Sequence, residues 1–223
     1  RYGYTDAHRR QEPEQTYPSC LTDAEWSLVE DLFNNEGRRG TPPCYSRRTL
    51  IDACCYVVRT GCAWRMLPKE FPAWQNVYRT FRRWSEQGKF EQMHDRLRAR
   101  WREREKRETE PTAAVLDAQS TRGSPQGGGS GYDAGKKVKG RKRHLVVDTL
   151  GLLLAVSVTA ASVQDRDGAH PVVASALSKY PSVQTLFVDG GYAGQCAQTI
   201  SQCRNVQVNV IRHPANRNVG RWT

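Results

Sequence analysis

Residues 185–192 read Thr-Leu-Phe-Val-Asp-Gly-Gly-Tyr: a short apolar strand that ends on a carboxylate, then two glycines that turn the chain. Residues 113–118, Ala-Ala-Val-Leu-Asp-Ala, repeat the pattern 72 positions earlier (189 − 117). Short apolar runs of this kind suit strands buried on both faces of an α/β sheet. Polar side chains at the carboxyl ends of such strands face the ligand crevice. Asp117 and Asp189 are therefore expected side by side at the ends of adjacent strands. Two carboxylates so placed could hold divalent metals for phosphodiester chemistry, and oxygen ligands suit Mg²⁺ or Mn²⁺. The same positions also suit plain turn formers or helix caps.

The chain between and beyond these runs fits a mixed sheet. Residues 123–135 hold six glycines and no apolar periodicity, so a loop is expected. His144 to Val147 and Leu152 to Thr159 read as strands joined at Asp148-Thr149-Leu150-Gly151 into a hairpin. Ala169 to Lys179 reads as a helix, with Asp165 and Asp167 as its caps. A short helix at Gln195 to Cys203 precedes a strand at Val206 to Ile211. The order strand, hairpin, helix, strand, helix, strand makes residues 111–223 an α/β domain.

Residues 17–110 read as helical. Thr22 and Glu25 form a capping box ahead of Trp26, Leu28, Val29, Leu32 and Phe33. Gly37 to Pro43 is a turn-rich break; Ser46 caps a second helix that Gly61 stops. Pro72 to Trp84 is a third, and Phe90 to Glu108 a fourth. Residues 1–16 are polar and read as a loose tail. The start lacks an initiator Met and an apolar leader, which suggests a piece of a longer reading frame.

The chain has 223 residues, and 34 Lys+Arg against 23 Asp+Glu give a net charge of +11. That excludes an acidic solvating protein and points to a polyanionic partner. The longest mostly apolar stretch, Leu150 to Val163, is interrupted by Ser157, Thr159 and Ser162, short of the ~18 unbroken residues of a membrane span. Seven cysteines without zinc-ribbon spacing read as reduced thiols of a cytoplasmic protein.

Two further patterns bear on the partner. Lys136-Lys137-Val138-Lys139-Gly140-Arg141-Lys142-Arg143 has six cations in eight residues, for which backbone phosphates are the natural counter-charge. A solvated basic edge strand reads the same way. On the third helix Arg79, Arg82 and Arg83 share the surface with Tyr78 and Trp84, as in a helix-turn-helix reader, although its aromatics also suit a core.

These residues carry a resemblance. Leu21-Thr22-Asp23-Ala24-Glu25-Trp26 and Arg59-Thr60-Gly61-Cys62-Ala63-Trp64-Arg65-Met66-Leu67-Pro68 resemble the N-terminal helical region of bacterial insertion-sequence transposases of the DDE type, the IS-five-like family. Asp117-Ala118-Gln119-Ser120, then Gly131-Tyr132-Asp133-Ala134-Gly135-Lys136-Lys137 through Arg141-Lys142-Arg143-His144 and Asp148-Thr149-Leu150-Gly151, and finally Val188-Asp189-Gly190-Gly191-Tyr192 are similar to its catalytic region. The resemblance implies a helical DNA-binding domain at 17–110 and an RNase H-like core at 111–223. It implies Asp117 and Asp189 as catalytic metal ligands, and metal-dependent cleavage and strand transfer at terminal inverted repeats. It further implies action as a homo-oligomer on double-stranded DNA.

The family's third acid is a Glu on a helix after the last strand, soon after an Arg-Trp pair. This chain reaches Arg221-Trp222-Thr223, and residues 190–223 contain no Asp or Glu. The expectation is a core without its last helix, with Val206, Val208 and Val210 left uncovered on one face. Such a chain would bind DNA without efficient cleavage. The alternative reading is thus a catalytically dead remnant that only binds DNA.

Overall fold

The computed structural model describes residues 17–34, 45–123 and 129–212. The expected tail at 1–16, the break at 37–43 and the Arg-Trp pair at 221–222 lie outside or largely outside these residues. The chain divides into two units, residues 1–101 and 102–223.

The first unit is helical. The capping box at Thr22 forms as read, with the Thr22 side chain accepting from Glu25 N and Glu25 accepting from Thr22 N at 2.7 Å. The helix it opens, α1 (Asp23–Ser27), stops early, and a second short one, α2 (Glu30–Phe33), follows. One continuous helix was expected here. Val29 leaves helical geometry at φ −133°, which lets Trp26, Val29 and Phe33 all turn into the core. Ser46 caps α3 (Arg47–Thr60), and Gly61 ends it in the left-handed conformation that glycine adopts without strain. A 3₁₀ turn at Trp64–Met66 leads to α4 (Trp74–Glu86) and α5 (Lys89–Arg104). Leu50, Ile51, Phe71, Val77 and Trp84 complete the core, with Phe33 and Trp84 ring centroids 4.8 Å apart. The α3–α4 connection takes residues 61–73, well beyond the three or four of a helix-turn-helix. All six described cysteines are free thiols.

The second unit is a six-stranded sheet: β1 (Ala113–Arg122), β2 (Gly131–Asp133), β3 (Val138–Asp148), β4 (Leu153–Ala160), β5 (Thr185–Asp189) and β6 (Gln207–Ile211). The lateral order is β4-β3-β1-β5-β6, with β2 paired to the start of β3. β1, β3 and β4 form an antiparallel meander, while β5 and β6 run parallel to β1. With α6 (Asp165–Lys179) before β5 and α7 (Gln195–Arg204) before β6, this is an RNase H-like α/β fold. The hairpin at Asp148–Gly151 forms as expected; β2, inside the segment expected as loop, was not foreseen.

Strand parity decides what each face carries, because successive side chains alternate. Ala114, Leu116, Val146, Leu186 and Val188 point to the core, where Val172, Val173 and Ala176 of α6 cover them. Val206 is buried, and Val208 and Val210 pack on the same cluster. The expectation that these valines are uncovered is therefore corrected: their face is the one that the helices occupy. The α6 helix approaches β3 closely at Gly168, where a Cβ would fall 2.1 Å from the ring of the fully buried His144.

Candidate active site

The β1–β5 register runs Ala113↔Thr185, Ala114↔Leu186, Val115↔Phe187, Leu116↔Val188. The offset is 72 throughout, so the next positions in line are Asp117 and Asp189. Neighbouring strands lie ~4.8 Å apart, and residues in register share a face. Both aspartates are exposed, on the side opposite the helices. Asp189 ends β5, as expected. Asp117 does not end β1, which continues to Arg122 because β3 still pairs with it there; what ends at Asp117 is the pairing with β5.

Each carboxylate is fixed by one oxygen only. Asp117 Oδ1 accepts from Ala118 N at 2.7 Å, and Asp189 Oδ1 accepts from Gly191 N at 2.8 Å. Oδ2 of each makes no hydrogen bond among the described residues. Gly191 has a steric role in this: a Cβ there would stand 2.9 Å from Asp189 Oδ1. Arg166 Nε donates to Gly191 O at 2.6 Å and holds the turn from the first turn of α6. Sequence reasoning did not single out Arg166.

The turn Gly190–Tyr192 carries Tyr192 inward. Its side chain is 2% exposed, and its hydroxyl has no hydrogen-bond partner. Burial pushes the phenol well above its ordinary range, and the carboxylates of Asp165, Asp117 and Asp189 push it further. Those three charges come from α6, β1 and β5.

The donor set fits a hard divalent cation: two exposed carboxylates in register, pre-oriented by backbone N–H groups, beside a buried hydroxyl without a partner. Among the described residues no group of three or more His, Cys, Asp or Glu could hold a metal. Asp148 takes no part. It lies in register with Ala114 on the helix side, is 1% exposed, and accepts from Leu150 N and Leu152 N at 2.9 Å and from Arg102 at 2.5 Å. Asp165 is held by Lys142 and, with Asp167, lies in the first turn of α6, whose N-cap is Gln164 rather than either aspartate.

The cationic run splits by the same parity. Lys139, Arg141 and Arg143 alternate on the face of Asp117, since Arg143 pairs with Gln119 and Leu145 with Asp117. Lys139 and Arg143 are exposed and Arg141 is half-buried. Lys136 and Lys137 sit exposed in the β2–β3 turn, and Lys136 Nζ donates to Ala118 O at 2.8 Å. Lys142 points the other way and is 5% exposed. Its Nζ donates to Val163 O at 2.7 Å and meets Asp165 at 2.8 Å and Asp133 at 3.3 Å. Burial lowers its pKa, but the two carboxylates outweigh this and raise it. The Ser120 hydroxyl and then Lys136 N hold Asp133 far below the usual carboxylate range. Lys142 is thus an internal strut, which corrects its reading as a phosphate contact.

In the first unit, Arg79, Arg82 and Arg83 are exposed along α4 with Gln75 and Tyr78, while Val77 and Trp84 face the core. Trp74, Tyr78 and the three arginines line a surface groove of ≈ 520 Å³. Arg82 is paired to Glu86 at 3.1 Å. No helix among the described residues is long and apolar enough to cross a membrane.

Comparison with known proteins agrees with this layout. Residues 21–94 match a family model described as a putative transposase of IS4/5 family, and residues 108–222 match the transposase DDE domain. Over 75 residues the chain is 31% identical to an uncharacterized protein, y4sN, of Sinorhizobium fredii; the match covers 33% of this chain and 58% of that protein. Among solved structures it is similar to a Mos1 transposase paired-end complex with left transposon end (10% identity, TM-score 0.29) and to a pre-cleavage Mos1 transpososome (13% identity, TM-score 0.29). Both matches cover 78% of this chain and 61% of the other. The DDE-domain match alone spans 115 of the 223 residues (222 − 108 + 1), and the chain belongs to the DDE transposases of the IS4/5 family.

Proposed function

We propose that this chain is a DNA transposase that binds the terminal inverted repeats of an insertion sequence and, through Asp117 and Asp189, supports metal-dependent cleavage and strand transfer. The observation that carries the reading is the shared 72-residue offset of the β1–β5 register, which sets the two exposed aspartates in line on one sheet face. Their Oδ2 atoms would hold Mg²⁺ or Mn²⁺. When bound, such ions activate a nucleophile and stabilise the leaving oxygen of a phosphodiester.

The protein's own groups set the geometry. Ala118 N and Gly191 N orient the carboxylates, and Arg166 braces the second turn. Lys139, Arg141 and Arg143 would hold the DNA backbone on the face of the acids, with Lys136 and Lys137 at its margin. Arg79, Arg82 and Arg83 of α4 would hold duplex DNA at the helical unit. Phosphate contacts position DNA, while base edges specify it. The account implies a homo-oligomer on DNA, acting at the nucleoid in the cytoplasm.

A second reading is supported by the acid-free segment 190–223: a DNA-binding remnant without chemistry. The test incubates the chain with a terminal-repeat duplex in Mn²⁺ and follows binding and nicking together. Nicking that is lost in Asp117→Asn and Asp189→Asn, with binding retained, supports the enzyme. Binding without nicking in the unaltered chain supports the remnant, and absence of binding overturns both.

A further inference from the structure

Tyr192 has no function in the site so far, yet it is the residue there whose placement is hardest to explain by packing alone. A buried polar group is almost always hydrogen-bonded, and an unsatisfied one costs about 1–3 kcal/mol. The Tyr192 hydroxyl is buried without a partner. Phenylalanine would fill the same space in the core cluster of Ile200, Leu186 and Val188 at no such cost. The turn that carries Tyr192 is the one that Asp189 caps, and it is pinned by Arg166. The carboxylates acting on the phenol include both proposed metal ligands, from two different strands, together with Asp165. A lone O–H among carboxylates is a donor awaiting an acceptor.

We infer that Tyr192 is a positioning residue for the cation held by Asp117 and Asp189: its buried hydroxyl donates a hydrogen bond to an oxygen of that cation's shell, carboxylate or water. The inference rests on the two-aspartate reading and adds to it the group that sets the shell from the interior side. Outer-shell donors of this kind fix ligand orientation, and their loss typically lowers metal affinity about 10–100-fold. The hydroxyl then gains in the loaded state the partner that it lacks in the empty one. Its removal should have opposite consequences in the two states.

The experiment compares the unaltered chain with Tyr192→Phe and Asp117→Asn, using Mn²⁺ alone as the probe. It measures unfolding without metal and the Mn²⁺ concentration dependence of the thermal shift. For Tyr192→Phe the expected result is metal-free stability equal to or above that of the unaltered chain, with the half-saturating Mn²⁺ concentration raised about 10-fold or more. Asp117→Asn should abolish the shift. A Tyr192→Phe chain that binds Mn²⁺ like the parent, while Asp117→Asn does not, overturns the inference and leaves the two-aspartate site standing. Loss of metal-free stability or folding in Tyr192→Phe also overturns it, because the hydroxyl would then already be bonded. An unaltered Mn²⁺ response in Asp117→Asn, or none in the parent, overturns the site itself and the inference with it.

Discussion

Lys142→Met separates structure from DNA contact within the basic run. Methionine keeps the unbranched stem and removes the ammonium. In the folded chain that ammonium is 6% exposed and meets Val163 O, Asp165 and Asp133, whose side chain is 11% exposed. Breaking a buried ion pair costs about 3–5 kcal/mol, because the remaining charge stays buried. Asp133 keeps the Ser120 hydroxyl and Lys136 N, and Asp165 is 40% exposed and regains water, so the lower end applies: about 3 kcal/mol. At ~4 °C per kcal/mol for a unit of this size, Tm should fall by about 12 °C. Calorimetry measures that fall, and DNA titration at several salt concentrations measures the electrostatic contacts. Lys142→Met should leave the slope of log K against log[salt] unchanged, whereas Arg143→Ala should flatten it by ~0.9. A stable Lys142→Met protein with a flattened slope would refute the internal-strut reasoning.

Other consequences follow from the same parity. Asp148→Asn should cost about 3–5 kcal/mol in chemical denaturation, because it strands the buried Arg102 guanidinium; pairing it with Arg102→Met should recover part of the loss. Gly168→Ala should destabilise by at least ~2 kcal/mol despite its gain in helix propensity, since its Cβ meets the His144 ring, and a double-mutant cycle with His144→Ala should show strong coupling. Burial lowers the His144 pKa, with Asp165 opposing and Lys142 adding. The unfolded chain therefore binds the extra proton first: the stability contribution is whole above pH ~6.5 and is lost as pH falls below it, by at most ~1.4 kcal/mol per unit. Asp133, held low, loses its contribution only below pH ~4, and Lys142, held high, only above pH ~10.4. The slope between pH 4.5 and 6.5 should thus flatten in His144→Asn, as read by Tm against pH.

The pairing of Asp117 with Asp189 was legible because matching apolar runs end on each, and the 72-residue spacing of the motifs is the register itself. The length of β1 was not legible. Ala118 to Arg122 is polar, and its strand character comes from pairing with β3 rather than from its own pattern. The fate of Lys142 could have been read from Val146: counting back by two from a core valine puts Lys142 on the inward face. The signal was masked because that face carries Lys142, His144 and Asp148 where alternation leads one to expect apolar residues. Tyr192 and Arg166 escaped notice for another reason. Their placement depends on a turn and a helix start being brought together in space, which no local spacing encodes.

The central claim is that Asp117 and Asp189 act as one cation site. Its most direct test is Mn²⁺ binding by electron paramagnetic resonance in the parent, Asp117→Asn, Asp189→Asn and the double variant, all shown to be folded. One shared site predicts that either single change removes nearly the whole bound signal, and that the double change removes little more. Parent-like binding in either single variant, or two losses that simply add, would contradict it.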